Sequence, residues 1–239
     1  PYLPQSYWDE LNTLPDNLRR AWVLGDWDVF VGMAFPAWSE ATHVSDITSE
    51  DIPSHWPRVV GIDWGFAKPF AAVWIAKDPD TGRVIVYREA YKDGLTDQQQ
   101  ARLVRELGLG ESIRRHFADP SMWSKKSQTT ITSTADIYRA EGVTLTAGDN
   151  DRLSGKRKLD RLLGNLPDGR PGLIVSRQCP NFIRTVPLLA YDKFRPEDVD
   201  TNQDDHLYDA LRYALSDERT PTTRPQARRT ISAWQRGNL

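Results

Sequence analysis

The stretch Arg58-Val59-Val60-Gly61-Ile62-Asp63-Trp64-Gly65 decides how the rest of the chain is read. Val59, Val60 and Ile62 are β-branched and suit a buried strand, and Gly65 permits a tight turn behind them. The next apolar run, Phe70 to Ala76, reads as a second strand returning beside the first. Asp63 then stands at the end of a central strand. A carboxylate is costly to bury unless it is paired or binds a metal, so Asp63 is either a ligand or faces solvent.

Downstream, Asp78-Pro79-Asp80-Thr81-Gly82 has turn chemistry, with Pro79 presetting φ and Gly82 able to take a positive one. A third strand is predicted over Arg83 to Tyr91, making an antiparallel meander. Thr96 and Gln99 have capping-box spacing before Ala101, Val104 and Leu107. Phe117-Ala118 reads as the end of a strand that delivers Asp119, and Pro120 ends it. Helices are expected over Thr132 to Glu141, over Lys156 to Asn165, from Pro180 onward, and over Asp204 to Ser216. Short strands are expected at Val143 to Thr146 and Leu173 to Val175. A meander followed by alternating helices and strands predicts an α/β fold, a mixed sheet with helices on both faces.

Upstream, residues 1–57 read as a connector of extended chain pinned by aromatic anchors, among them Trp38 and Trp56, with a short helix over Asp16 to Leu24. The tail beyond Glu218 carries Arg219, Arg224, Arg228, Arg229 and Arg236 with no further acid, and beyond Pro221 the composition is that of a disordered tail. The only cysteine, Cys179, excludes an internal disulfide and a cysteine-cluster zinc site. No apolar run approaches the roughly 20 residues of a membrane span, and the N-terminus lacks a secretory layout, so a soluble, intracellular protein is expected. The net charge of −2 gives no hint of nucleic-acid binding, but Arg152, Lys156, Arg157, Lys158 and Arg161 gather positive charge locally.

Three carboxylates fall where such a sheet can bring them together: Asp63, Asp119 and Asp209. On the last helix Asp205 and Asp209 are four residues apart and His206 and Asp209 three, so all three can share one side. Oxygen donors without thiolates suit Mg²⁺ or Mn²⁺, and a pair of such ions can hydrolyse a phosphodiester. The plain alternative is that acids at strand ends and on helices are solvated, or that Asp209 merely pairs with Arg212.

Gly61-Ile62-Asp63-Trp64-Gly65, Phe117-Ala118-Asp119-Pro120-Ser121 and Asp205-His206-Leu207-Tyr208-Asp209-Ala210-Leu211-Arg212-Tyr213 together resemble the nuclease domain of tailed-phage large terminase subunits. The resemblance spans roughly 58–217. It implies an RNase H-like fold and a metal-dependent endonuclease that cuts concatemeric double-stranded viral DNA during packaging. It also implies that Asp63, Asp119 and Asp209 bind two Mg²⁺ or Mn²⁺ ions, with Asp205 and His206 as further candidate ligands. Residues 1–57 would follow an N-terminal packaging ATPase, of which this chain carries no phosphate-binding loop, and 218–239 would be a basic tail. Portal protein and small terminase subunit are the implied partners, and the host cytoplasm the implied site of action. Lys156, Arg157, Lys158 and Arg161, with Lys125 and Lys126, are candidates for phosphate contact. A sugar-kinase or actin-like ATPase, a junction resolvase, and a non-catalytic docking module are the rivals. The first needs a duplicated core that this sequence lacks.

Overall fold

The computed structural model describes Pro4, Tyr7, Val23 and residues 32–65, 68–124 and 132–216. The helix expected over Asp16 to Leu24, apart from Val23, lies outside the described residues, as do Lys125, Lys126 and the basic tail. Strands β1 (Val44–Ser45), β2 (Arg58–Asp63), β3 (Phe70–Lys77), β4 (Val84–Lys92), β5 (Ile113–Ala118), β6 (Leu145–Ala147) and β7 (Leu173–Ser176) form one sheet in the order β1-β7-β4-β3-β2-β5-β6. The predicted meander is present: β3 is antiparallel to both β2 and β4, and every other pairing is parallel. The carboxyl ends of β2 and β5 therefore sit side by side. In open α/β sheets the crevice outside such strand ends is where ligands bind.

The helices are α1 (Glu40–His43), α2 (Asp97–Leu107), α3 (Thr134–Ala140), α4 (Arg152–Leu163), α5 (Pro180–Thr185) and α6 (His206–Ala214). The capping box predicted for α2 is formed in both directions, Thr96 with the Gln99 amide and Gln99 with the Thr96 amide. Helix α4 begins four residues earlier than its apolar pattern suggests, because Asp151 caps it by accepting from the Ser154 amide.

Alternation along the strands splits the sheet between two cores. Val59, Val73, Ile75 and Val86 face α4, α5 and α6, whereas Val60, Ile62, Trp74 and Tyr87 face α2 and α3. Residues upstream of β2 take part in both: Ala34 and Phe35 belong to the first core, with Trp38 packed against it, and Ile52 and Trp56 pack on the second. By the same alternation Asp63 lies on the face of Val59 and Gly61, which is the face α6 covers. Among the described residues no helix is long and apolar enough to cross a membrane.

Candidate active site

Gly61 governs how closely α6 approaches the sheet. A Cβ on it would lie 1.9 Å from the Ala210 carbonyl oxygen and 2.8 Å from the Ala214 Cβ. Only glycine, facing a helix stripe of alanines, lets helix backbone rest on strand backbone here. Two residues along β2 is about 6.6 Å and one helical turn about 5.4 Å, so Asp63 falls opposite His206, one turn before Ala210. The His206 Nδ1 is 2.8 Å from the Asp63 Oδ2.

Asp119 follows β5 in register with Asp63. Ala118 pairs with Ile62, and the Asp119 amide donates to the Ile62 carbonyl at 3.2 Å. Its carboxylate accepts from the Ser121 amide at 2.7 Å, capping the 3-10 turn Pro120–Trp123. Ser121 in turn accepts from the Trp64 indole at 3.0 Å, tying the two motif loops together.

Asp209 and Asp205 reach the same cleft from α6. Asp209 is held by two arginines, Arg152 Nη1 at 2.9 Å from each of its oxygens and Arg212 Nε at 3.1 Å. Asp205, at the N-cap position of α6, receives Arg152 Nη2 at 3.3 Å. Asp198 lies 3.4 Å from Arg152 Nε. The exposed Lys68 and Thr201 and the half-buried Trp64 complete the lining of the cleft formed by Asp63, Arg152, Asp205, His206 and Asp209. Sequence reasoning misses Asp198 and places Arg152 only in a basic cluster. The available signal is Asp151 with Ser154, which moves the start of the helix to Arg152.

Negative charge exceeds what the protein neutralises. Asp63 is 8% exposed, and burial pushes its carboxyl up to about 6. The charges on Asp209 and Asp119 push the same way, while the hydrogen bond from His206 opposes them. Burial, then the nearby Asp209 charge, pushes Asp205 up to about 7 despite Arg152. His206 is raised by its hydrogen bond to Asp63, against its own desolvation. For Arg152, burial works against the charge but the carboxylates of Asp209, Asp205 and Asp198 outweigh it and raise its pKa.

A hard divalent cation fits this donor set in kind: buried carboxylate oxygens of raised pKa are what such an ion stabilises. The side chains as they stand are not yet a chelate. Among the described residues no three of His, Cys, Asp and Glu are placed to hold an ion. Asp119 caps the turn that follows it and Asp209 is held by its arginines, so an ion would compete with existing contacts at both.

The expected phosphate-contacting row divides. Arg157 and Arg161 are exposed on α4. Lys158 reaches the Leu215 carbonyl at 3.4 Å. Lys156 is only 6% exposed; it pairs with Asp160 at 2.8 Å and lies over the rings of Phe35 and Tyr191. Its ammonium is spent inside the fold.

The fold and cleft define an α/β protein with an acidic crevice at the carboxyl ends of adjacent parallel strands. That fold is the RNase H-like one of phage large terminase nuclease domains. The P22 large terminase nuclease domain superposes with a TM-score of 0.60 at 19% identity, over 77% of this chain and 91% of that one. The nuclease domain of the bacteriophage SPP1 large terminase, solved with bound Mn, gives 0.56 at 22% identity over 74% and 96%. The large terminase of a thermophilic bacteriophage, solved in complex with ADP, gives 0.60 at 18% identity over 76% of this chain, which spans 44% of that protein's length. No family model matches the chain. No curated protein matches it in sequence.

Proposed function

We propose that this chain is a divalent-metal-dependent DNA endonuclease that cuts concatemeric double-stranded viral DNA during genome packaging. The observation that carries this reading is Asp63: a buried carboxylate at a strand end, without an arginine or lysine partner in the contacts described, beside Asp119 and opposite the acids of α6. Asp63, Asp119 and Asp209 would hold the ions, Mg²⁺ or Mn²⁺ and two of them, with Asp205 and His206 in support. The manganese in the SPP1 domain and the cobalt in the nuclease of phage G20c favour the same ion class. When bound, such ions activate water and stabilise the leaving oxygen of a phosphodiester. The chain's own residues do the rest. His206 fixes the orientation of Asp63, and the Trp64–Ser121 bond fixes the loop that carries Asp119. Arg157 and Arg161 supply sequence-independent phosphate contacts.

In this reading residues 58–217 form the nuclease unit. Residues 1–57 join it to a packaging ATPase, with 33–57 also packing on the sheet, and 218–239 form a basic tail. The protein would act in the host cytoplasm with portal protein and the small terminase subunit as partners.

A second reading, a non-catalytic docking module, is favoured by one observation: Asp209 already has two protein counter-charges. Incubation of supercoiled plasmid with the protein and Mn²⁺ or Mg²⁺ separates the two. Nicking that EDTA and Asp63→Ala both abolish supports the nuclease. Intact plasmid, with no Mn²⁺ bound, supports docking.

A further inference from the structure

Arg152 breaks a local rule. It is the first residue of α4, where a cation faces the positive end of the helix dipole and no acid follows in the first turn. What it gains lies across the cleft. Its Nη1 donates to both Asp209 oxygens at 2.9 Å, its Nη2 to Asp205 Oδ2 at 3.3 Å and the Val199 carbonyl at 3.4 Å, and its Nε faces both Asp198 oxygens at 3.4 Å. The Tyr208 ring lies 5.8 Å from the guanidinium carbon. Three residues along α4, Gly155 clears the way. A Cβ there would lie 2.1 and 2.4 Å from the Cγ and Cδ of Arg212, so the absent side chain lets α4 rest on α6. A cation has been placed among these acids at the expense of its own helix.

Resting on the nuclease reading above, we infer that Arg152 is a resident counter-cation. It neutralises Asp205 and Asp209 while no metal is bound and competes with the incoming divalent ion for their oxygens. A carboxylate offers about four lone-pair positions, and three of those on Asp209 are taken by Arg152 and Arg212. Inner-sphere coordination must recruit the remaining one or displace the guanidinium, and a dication beside a guanidinium is also repelled. Arg152 is thus a positioning residue that holds the acids of α6 together and lowers their affinity for metal. The contacts described for Asp63 are with His206 and not with Arg152, so the competition falls on the acids of α6.

The competing role is a clamp that preorganises the ligands, and removing a clamp weakens metal binding. The two roles differ in sign. Mn²⁺ binding is measured by electron paramagnetic resonance or calorimetry on wild type, Arg152→Gln and Asp63→Asn, with thermal melts in EDTA. Arg152→Gln is expected to lower the melting temperature in EDTA and yet tighten Mn²⁺ by about tenfold or more, the scale of one lost charge-assisted hydrogen bond. Arg152→Lys keeps the charge without the planar fork; it should fold and tighten Mn²⁺ by a smaller factor. That variant decides the matter if Arg152→Gln does not fold. Unchanged or weakened Mn²⁺ binding in the folded variant overturns the inference, while Mn²⁺ binding that wild type retains and Asp63→Asn loses leaves the nuclease reading intact. Wild type that binds no Mn²⁺ overturns both.

Discussion

His206 Nδ1 and Asp63 Oδ2 stand 2.8 Å apart across the junction of α6 and β2, which joins the first acidic motif directly to the last. Neither partner titrates at its ordinary value, and both shifts are upward. The metal-free protein should therefore lose stability as pH rises. Asp63 and Asp205 hold protons in the fold that the unfolded chain has released, so their contribution falls from about pH 4 up to about 6 and 7. His206 adds stability that is present below its unfolded pKa and lost as pH climbs through its raised folded value. On the acid side Glu111 acts oppositely: despite its burial, hydrogen bonds from Tyr87, Arg88 and Arg58 hold it low, and its contribution is lost as pH falls. Thermal melts in EDTA should peak near about pH 5. Saturating Mn²⁺ should raise the melting temperature by an amount that grows toward pH 8, because the ion displaces protons. A flat profile in EDTA between pH 5 and 8 would contradict this.

Gly61→Ala should be among the most damaging single-methyl changes in the protein. The added Cβ meets backbone, the Ala210 carbonyl at 1.9 Å, which cannot swing away as a side chain can. A cost of about 3 kcal/mol or more is expected, as α6 lifts from β2. Gly82→Ala is the contrast: nothing lies within 4 Å, and the strain comes only from its φ of +79°. A cost of about 1 kcal/mol is expected there. Urea denaturation reads both, and comparable losses would refute the packing argument.

Glu111 anchors a buried ionic cluster on the face away from the cleft. Arg58 Nη1 reaches it at 3.0 Å, Arg88 Nη1 at 2.6 Å, and the Tyr87 hydroxyl donates at 2.6 Å. Glu111→Ala leaves Arg58 without its carboxylate partner in a site where it is barely exposed. Removing one partner of a buried pair costs about 3–5 kcal/mol. Mn²⁺ binding at the cleft should survive in whatever fraction remains folded, since the sheet separates the two sites. Equal loss of metal binding and stability would show that they are coupled.

The fold is readable where its signals are local. The meander follows from β-branched runs punctuated by Asp78-Pro79-Asp80-Thr81-Gly82, and α2 from Thr96 and Gln99 three residues apart. Asp63 is legible for a sharper reason, a charge directly abutting a strand with no polar relief. What the sequence hides is non-local. Gly61 reads as ordinary strand-weakening glycine until Ala210 is seen above it. The strand Val44–Ser45 is two residues long and exists only because β7 offers an edge. Lys156 reads as part of a basic face until Phe35, Tyr191 and Asp160 close around it. Arg152 lies outside the predicted helix, so its partnership with Asp198, Asp205 and Asp209 has no periodic trace.

That distinction within α4 is measurable. Arg157→Ala with Arg161→Ala should weaken double-stranded DNA binding for every sequence alike. The slope of log K against log salt should shrink by about 2, close to one counterion per phosphate contact. Lys156→Met keeps the apolar stem and should leave DNA binding unchanged. It leaves Asp160 on the exposed surface, so the stability cost should stay below about 1 kcal/mol. Loss of DNA affinity in Lys156→Met, with no change in the double variant, would reverse the assignment of the row.

Asp63→Asn separates activity from stability. The amide keeps the shape of the carboxylate and can still bond to His206 while removing the charge, so the fold is preserved. Plasmid nicking should fall by about a thousandfold or more, since a ligand to the ion and its share of transition-state charge stabilisation are both lost. Stability above pH 7 in EDTA should instead rise, because a buried carboxylate that the protein neutralises poorly is replaced by a neutral group. Residues kept for function at the expense of the fold behave in this way, and ordinary surface acids do not. A melting temperature lowered by Asp63→Asn at that pH would mean that Asp63 is held in place for structure, and the cleft would lose its strongest claim to bind metal.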